Sequence, residues 1–392
     1  MGTSKSELWN VKDDSHSSAA HGSSGRLHDP LPRPPEGVER ERNENDAMRV
    51  FVTGSTGLLG NNLVRALAPL GHDVIALARS REKAERMLAG TGARVVLGDM
   101  RDIDGFSGEI AGADAVFHTA AYFREYYSPA SKGTHEEALE SVNVRGTLAL
   151  LDAADQHGVG RFIHVSSSGA VGMNADGSPG DENTLPSEEQ LENLYFRSKA
   201  EGDAKIAAFR PRSGMSVIEI LPGWMWGPGD AGPTSAGKLY LDFAAGKIPG
   251  APPGGTSLVD ARDVARAMVA TLTRGAHGDR FIVGGQYRSL RDVLDSLARA
   301  SGKAPLRFDV PAPLALAFAH ASEAWAKLTG GAPAVPIRGV KTLLARHTVT
   351  SAKAERELGV TFRPLDETMQ AVVDWYAETR GDGATATAAA PA

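Results

Sequence analysis

Short apolar runs alternate with amphipathic stretches between Met48 and Leu221. The runs have the length of strands and are almost continuously Val, Ile, Leu and Phe, which is typical of strands buried on both faces of a sheet. The predicted strands are Arg49–Thr53, Asp73–Ala78, Arg94–Leu97, Asp114–His118, Arg161–Ser166 and Met215–Leu221. The predicted helices between them start near Leu58, Arg81, Asp102, His135 and Leu191. This βαβ alternation predicts an α/β fold with a doubly wound parallel sheet and right-handed crossovers.

The pattern changes after Leu221. The stretch Trp224–Gly255 is rich in Gly and Pro and is predicted to be mainly loop, followed by a helix over Asp260–Arg274 and a short strand over Arg280–Val283. The predicted helices after that strand are Leu290–Ala300, Leu314–Leu328, Val340–His347, Ala352–Leu358 and Leu365–Thr379. We interpret this part as a smaller, mostly helical lobe over the carboxyl edge of the sheet.

Composition narrows the classes of protein to which this chain could belong. Residues 1–47 contain only five Leu, Ile, Val or Phe, so we predict a disordered N-terminal extension, and residues 380–392 are predicted to form a flexible tail. The absence of cysteine excludes disulfides and cysteine-ligated metals. The net charge of −6 argues against nucleic-acid binding. No run of 18 apolar residues and no secretory signal is found, so a cytoplasmic location is expected.

Membrane contact is not expected. The apolar stretch Leu314–Leu328 is the strongest candidate for it, but it lacks a basic face, so we predict that it packs in the core.

A glycine-rich turn, Thr53–Gly60, follows the first strand and opens a helix. Gly54 permits the tight turn, Gly57 allows the backbone to approach a pyrophosphate, and Gly60 allows the helix to pack closely on the sheet. The helix N-terminus offers free N–H groups to the phosphates. The predicted cofactor contacts in this turn are Gly54, Thr56, Gly57, Leu58 and Gly60.

The second strand ends at Arg79 rather than at an acidic residue. A carboxylate there would bind the ribose 2′-hydroxyl of NAD, whereas a guanidinium suits the 2′-phosphate of NADP. NADP(H) is therefore favoured and NAD(H) remains possible; a solvated surface arginine is the alternative interpretation. Asp99 and Met100 follow the third strand and are expected beside the adenine, although Asp99 could instead cap the loop.

Tyr195 and Lys199 are four residues apart and therefore share one helix face. A nearby ammonium is expected to lower the pKa of the tyrosine, which could then exchange a proton with a substrate hydroxyl or carbonyl. Ser168 follows the fifth strand, where its hydroxyl could orient the reacting oxygen. His118 and His164 have no acidic residue at metal-ligand spacing, so no metal site is expected.

Together these motifs resemble the extended short-chain dehydrogenase/reductase family, which includes NAD-dependent epimerases, dehydratases and dihydroflavonol-4-reductase-like enzymes. The resemblance covers about Met48 to Thr379. Its motifs are Thr53–Gly60, Gly98–Asp99, Val116–Ala121, Asn143–Thr147, Ser166–Ser168, Tyr195–Lys199, Leu221–Asp230, Val259–Val264 and Glu357–Gly359.

The resemblance implies a Rossmann domain formed by residues 48–222 and 256–284, and a substrate-binding lobe formed by 223–255 and 285–379. It implies that Asn143 supports the active site, although a buried core asparagine is the alternative. It also implies that four further residues contact the cofactor, namely Ala120, Ala121, Pro222 and Gly223. A homodimer would form through the helices containing residues 143–157 and 195–209.

Two departures bear on the substrate. Many sugar-nucleotide members of the family have Arg-Pro where this chain has Leu221-Pro222, and a diphosphate requires a cationic clamp. Tyr122, Trp224 and Trp226 could instead form an apolar, aromatic pocket, or the tryptophans could simply pack between lobes. The leading interpretation is a small-molecule NADP(H)-dependent reductase. The alternatives are an NAD-dependent sugar-nucleotide epimerase or dehydratase, and an NADP-binding redox sensor without turnover.

Overall fold

A computed structural model describes residues 47–123, 132–331 and 333–381. Its strands are β1 (Arg49–Thr53), β2 (Asp73–Ala78), β3 (Arg94–Leu97), β4 (Ala115–His118), β5 (Arg161–Val165), β6 (Ser216–Pro222), β7 (Trp224–Trp226), β8 (Gly255–Asp260), β9 (Arg280–Val283) and β10 (Gln286–Ser289). Seven of them form one sheet in the order β3-β2-β1-β4-β5-β6-β9, and every neighbouring pair in it is parallel. The doubly wound parallel sheet predicted from the sequence is therefore confirmed.

The strands of this sheet are mainly apolar because helices cover both of its faces. Val50 and Val52 of β1 pack into one apolar layer, whereas Phe51 between them packs into the other. All three side chains are completely buried. Alternate residues of a strand point to opposite faces, so a strand covered on both sides needs apolar residues at every position.

Helices connect the strands. They are α1 (Leu58–Leu67), α2 (Arg81–Met87), α3 (Lys132–Leu139), α4 (Gly146–Gln156), α5 (Glu188–Leu191), α6 (Leu194–Ala208), α7 (Ser235–Ala244), α8 (Ala261–Ala270), α9 (Leu290–Ser301), α10 (Ala312–Thr329), α11 (Ile337–Leu344), α12 (Ala352–Leu358) and α13 (Leu365–Gly381). A π-helical segment, Glu140–Arg145, joins α3 to α4. Within the described ranges, no helix is long and apolar enough to cross a membrane.

The order of the strands creates a crevice. Strand β1 pairs with β2 on one side and with β4 on the other, so the direction of winding reverses at β1. In such sheets the loops after the two central strands separate at their carboxyl ends, and ligands bind between them. The loops that leave β1, β4 and β5 therefore meet at one edge of the molecule.

One prediction about local structure is wrong. No α-helix starts near Asp102; a short 3₁₀ turn covers Ser107–Ile110, and the Asp102 carboxylate accepts a hydrogen bond from the Gly105 N–H, which favours a turn. The stretch Trp224–Gly255 is loop over more than half of its length, as predicted, and it also contains β7 and α7. Strand β7 pairs with β8, and β8 pairs with β10, in a second, three-stranded sheet.

The predicted core packing of Leu314–Leu328 is also wrong for one face of the helix. The residues of α10 that are buried are small, namely Ala315, Ala319 and Ala326. Its large side chains Leu314, Phe318, Trp325 and Leu328 are exposed. Ala315 and Ala319 pack against Val340 of α11, which leaves the large side chains outside.

The predicted extension and tail lie almost entirely outside the described residues. Ala47 is the one residue of the extension that is described. At the other end, α13 continues to Gly381, two residues into the predicted tail.

Replacement of Gly60 by alanine tests the packing of α1 on the glycine turn. A Cβ at Gly60 would lie 2.1 Å from the Gly54 carbonyl oxygen, which is backbone and cannot rotate away. We expect Gly60→Ala to lower the free energy of unfolding by about 1–3 kcal/mol. Gly339→Ala in α11 is the matched control, since nothing lies within 4 Å of its Cβ position. It should stabilise the helix by up to about 1 kcal/mol. Equal stabilities of the two variants in chemical denaturation would contradict the described packing.

Candidate active site

The glycine turn after β1 forms an open cradle. Gly54 has φ +66°, and a Cβ there would lie 2.7 Å from the Ala120 backbone nitrogen, so only glycine fits. Gly57 caps α1, and among the described residues no side chain occupies that cap. The first N–H groups of α1 are therefore available to an anion, and the positive end of the helix dipole favours one. This arrangement fits the pyrophosphate of a dinucleotide.

The rest of the predicted cradle lies around this turn. Thr56 is half-buried and Leu58 is buried at the start of α1. The Ser55 hydroxyl donates to the Leu77 carbonyl and so fixes the turn to β2. The Thr53 hydroxyl oxygen accepts a hydrogen bond from the Ala120 N–H, at 3.3 Å. The ends of β1 and β4 are thereby tied together, and the half-buried Ala120 and the exposed Ala121 lie at the crevice.

The ends of β2 and β3 form a cationic corner. Arg79 is exposed, and its charge contributes to lowering the pKa of both Asp99 and Lys83. Arg101, which the sequence analysis did not single out, binds both oxygens of the Asp99 carboxylate, at 2.9 and 2.8 Å. These hydrogen bonds are the main cause of the lowered pKa of Asp99, about 2. The Asp99 carboxylate is thus engaged by Arg101, and Met100 beside it is buried.

Tyr195 lies in the first turn of α6. The side chain of Asn193 caps this helix by accepting a hydrogen bond from the Tyr195 N–H, at 3.0 Å. The Phe123 ring meets the Tyr195 ring edge-on, with 4.9 Å between the ring centroids. Burial and the negative charge of Asp203 raise the pKa of Tyr195 above its ordinary value. The sequence-based expectation of a lowered pKa is therefore wrong.

Ser168 lies just after β5 in the chain. It is buried in the 3₁₀ turn Ser168–Ala170, which follows β5. The next residue, Gly169, would place a Cβ 2.1 Å from the ring of Phe196. The turn after β5 is thus packed directly on the first turn of α6, which brings the Ser168 and Tyr195 segments together.

Lys199 is buried, with 2% of its surface exposed. Its Nζ donates to the Val165 carbonyl oxygen at the end of β5, at 2.8 Å. Burial lowers the pKa of Lys199 to about 8, although the negative charges of Asp203 and Glu219 act in the opposite direction. The Lys199 ammonium therefore loses its proton more readily than an exposed lysine does, and nearby acidic groups help it to stay protonated.

Those acidic groups form a buried network that the sequence analysis missed. Asp203 accepts hydrogen bonds from the Ser166 hydroxyl and from Arg280, both at 2.8 Å. Arg280 also contacts Glu219, at 3.4 Å, because the two residues are register partners on β9 and β6. Burial and the Asp203 carboxylate raise the pKa of Glu219 to about 8. The sequence does contain a signal for Asp203: it follows Lys199 by four residues and therefore shares the same helix face.

Asn143 lies in the π-helical segment between α3 and α4. Its side-chain oxygen accepts a hydrogen bond from the Tyr122 N–H, and its side-chain nitrogen donates to the Tyr122 carbonyl, at 2.7 and 3.0 Å. The same nitrogen donates to the Ser198 hydroxyl in α6, at 3.2 Å. Asn143 therefore fixes the loop after β4 to the helix that carries Tyr195. Single-turn π segments of this kind are frequent at functional sites.

The predicted substrate residues differ in their placement. Tyr122 is half-buried beside Asn143. Trp224 is half-buried and donates to the Ser235 hydroxyl at 3.3 Å. Trp226 is 1% exposed and packs in an apolar cluster with residues of α7, α9 and α13. The structure does not bring Trp226 to the surface of the crevice. Tyr126 and Tyr127, which could also add to an aromatic pocket, lie outside the described residues.

Pro222 and Gly223 connect the two sheets. Pro222 ends β6, and the Gly223 N–H donates to the Val283 carbonyl of β9. A Cβ at Gly223 would lie 2.4 Å from the Gly284 carbonyl oxygen, which explains the glycine. The two residues lie at the carboxyl end of β6, on the same edge of the sheet as Val165.

The two strand histidines are buried and uncharged. The ring of His118 hydrogen-bonds to Thr53 and Thr147, and burial lowers its pKa to about 3. Burial and the charge of Lys199 also lower the pKa of His164. Across residues 47–123, 132–331 and 333–381, no cluster of three or more His, Asp or Glu side chains could hold a metal ion.

Comparison with known proteins places this site in a family. The model of the NAD dependent epimerase/dehydratase family matches residues 50–284. A putative dihydroflavonol 4-reductase of Synechocystis is 32% identical over 83% of this chain and 94% of its own length. The sterol demethylase protein B of Methylococcus capsulatus is 30% identical over 84% of this chain and 99% of its own length. The crystal structure of gox2253 superposes with a TM-score of 0.70 at 30% identity, covering 84% of this chain and 98% of that chain.

These likenesses extend over both the sheet and the helical C-terminal part. The similarity to a solved structure agrees with the seven-stranded parallel sheet and its flanking helices. The chain therefore belongs to the NAD-dependent epimerase/dehydratase family, the extended branch of the short-chain dehydrogenases and reductases, and is an NAD(P)-dependent enzyme of that family.

Proposed function

We propose that this enzyme is an NADP(H)-dependent reductase that converts a ketone or aldehyde of an apolar substrate into an alcohol. The observation that carries the proposal is the placement of Tyr195 and Lys199. Both are on the first turns of α6, with Lys199 bonded to the end of β5 and Tyr195 near the Ser168 turn. This is the edge of the sheet at which the glycine cradle opens.

Proton transfer is assigned to Tyr195. The phenol is protonated at neutral pH and would donate that proton to a carbonyl oxygen that is being reduced, although its raised pKa makes it a weaker acid than an exposed tyrosine. The Ser168 hydroxyl would hold the same oxygen. The positive charge of Lys199 would stabilise negative charge that develops on the tyrosine. When bound, the reduced nicotinamide supplies the hydride.

The preference for NADP(H) rests on the cationic corner. Arg79 directly follows β2 and Lys83 lies in α2, and the carboxyl end of β2 is where the ribose 2′-phosphate binds in folds of this type. The pyrophosphate would bind the N–H groups at the start of α1, between Gly57 and Leu58. Asp99, Met100, Ala120, Ala121, Pro222 and Gly223 would line the remaining length of the cofactor.

An apolar substrate is supported by the aromatic groups near Tyr195. The Phe123 ring meets the Tyr195 ring edge-on, and Tyr122 is held next to Asn143. One relative has a sterol and another a flavonoid in its name, and both are flat, largely apolar compounds. We assign substrate binding to residues 223–255 and 285–379, and cofactor binding to residues 48–222 and 256–284. A homodimer through α4 and α6 is part of the same proposal.

A second candidate is an epimerase or dehydratase with tightly held NAD, which the matching family model favours. The same Tyr195, Lys199 and Ser168 would then oxidise and re-reduce one substrate. The distinction depends on whether the cofactor is exchanged in each turnover.

Replacement of Tyr195 by phenylalanine tests the proton donor. Because only the hydroxyl is lost, we expect kcat for carbonyl reduction to fall by about 10²–10⁴-fold, with cofactor affinity nearly unchanged. Steady-state kinetics and fluorescence titration with NADPH measure the two quantities. A variant that keeps its activity would exclude Tyr195 as the donor.

Replacement of Arg79 by alanine tests cofactor choice. The loss of a charge-assisted contact with the 2′-phosphate should raise the Kd for NADPH by about 10–100-fold and leave the Kd for NADH almost unchanged. Arg86→Ala is the matched control, since Arg86 is an exposed arginine at the other end of α2. Equal losses for the two cofactors, or an effect of similar size in the control, would count against the assignment.

Replacement of Asp203 by asparagine tests the support of Lys199. Since the negative charge of Asp203 raises the pKa of Lys199, its removal should lower that pKa below about 8. The loss of kcat at high pH, where Lys199 loses its proton, should therefore begin about one pH unit lower. Asp203→Glu should restore much of the original profile, and Glu201→Gln, an exposed position on the same helix, should leave it unchanged. If Asp203→Asn lowers stability but leaves the pH profile in place, the residue is merely structural.

A further inference from the structure

Helix α10 carries an exposed apolar stripe, which we define as Leu314, Phe318, Ala321, Trp325 and Leu328. At about 100° per residue these five positions fall within an arc of about 80° on one face of the helix. The four large side chains are 60%, 57%, 68% and 82% exposed, in chain order. Ala321 between them is exposed as well. A continuous row of large apolar side chains in water is unusual and indicates a contact surface.

The stripe is not the face that holds α10 on the protein. That face consists of Ala315, Ala319 and Ala326, and Ala315 and Ala319 form a small core with Val340 of α11. Removal of the large side chains from the stripe would therefore leave the attachment of α10 intact. The stripe is available to something outside the described fold.

The charges near the stripe are positive, although the whole chain has a net charge of −6. Residues 302–347 contain six Lys or Arg and two Asp or Glu. Five of the cations are exposed and, within the described residues, form no ion pair with an acidic side chain; they are Lys303, Arg307, Lys327, Lys341 and Arg346. Both acidic residues are already engaged, since Asp309 pairs with Arg291 and Glu323 accepts a hydrogen bond from Ile337.

We propose that α10 docks on a lipid surface that contains anionic headgroups, with the stripe inserted into the interface and the positively charged segment 302–347 attracted to the headgroups. A tryptophan, a phenylalanine and two leucines on one face are typical of helices that lie in a membrane interface. Helix α10 itself carries only one of the five cations, Lys327, and the others flank it in the chain. A second copy of the chain fits this surface less well, because a symmetric contact would bring two positively charged segments together. The sequence-based expectation of no membrane contact rested on the absence of a basic face on α10 itself; the positive charge in this proposal instead comes from the whole segment 302–347.

The position of α11 links this surface to the active site. Arg338 of α11 donates to the Glu192 carbonyl, at 2.7 Å, and the next residue, Asn193, caps the helix that carries Tyr195. The α10–α11 pair thus adjoins the first turn of α6. If the substrate is apolar, as the proposed function holds, docking would place the active site beside the lipid that dissolves it. The docking itself does not depend on that function.

Flotation of the full chain with vesicles tests the proposal. We expect binding to vesicles of phosphatidylcholine with phosphatidylglycerol, weaker binding to phosphatidylcholine alone, and a decrease with added salt. The double variant Phe318→Ser/Trp325→Ser should bind at least about tenfold more weakly. Lys327→Glu should weaken binding to the anionic vesicles only. Leu70→Ser is the matched control, because Leu70 is 55% exposed but lies outside α10, and it should bind normally.

Several results would overturn the proposal. One is a full chain that does not float with anionic vesicles, and another is a double variant that floats as well as the parent. Two measurements on lipid-free protein test whether something other than a lipid surface covers the stripe. A parent that is larger than the double variant in light scattering would show that the stripe joins two copies. The fluorescence of Trp325 is obtained as the difference between the parent and Trp325→Phe. If acrylamide does not quench this fluorescence, the chain covers its own stripe. Thermal unfolding of every variant checks that the fold is intact, and it does so even if the proposed function is wrong.

Discussion

The hydrogen bond between the Lys199 ammonium and the Val165 carbonyl is the contact around which the active site is arranged. A buried ammonium loses its hydration, and a single carbonyl oxygen does not replace it. The negative charge of Asp203, and in part that of Glu219, compensates for this lost hydration. Lys199 keeps a proton at neutral pH because these groups are present, and the proposed chemistry of Tyr195 requires that proton.

This requirement explains why the site depends on elements that are distant in sequence. Val165 ends β5, Lys199 and Asp203 lie one turn apart on α6, and Glu219 and Arg280 are register partners on β6 and β9. Arg280 donates to both buried acids and so reduces the repulsion between them. A shift in the register of β9 would remove Arg280 from Asp203. Strand β9 therefore helps to maintain the charge that supports Lys199.

The sequence predicted the parts of the molecule that follow from local pattern. Six strands were located within about a residue because both faces of a parallel sheet are apolar, and the glycine turn was predictable because Gly54 and Gly60 have no space for a Cβ. The pairing of Glu219 with Arg280 could not be predicted, since it depends on which strands are neighbours. The raised pKa of Tyr195 was missed because the desolvation of its hydroxyl depends on tertiary packing. Helix α10 was misjudged because apolar composition alone does not indicate which face a neighbouring helix covers.

The central claim is that this arrangement performs carbonyl reduction with an exchangeable cofactor. Mass analysis of the nucleotide released when the purified protein is denatured tests it most directly. The account predicts little bound nucleotide after purification, followed by tighter binding of added NADPH than of NADH. NAD or NADH recovered at about one molecule per chain would contradict it, because a tightly retained dinucleotide without a 2′-phosphate belongs to an epimerase or dehydratase cycle.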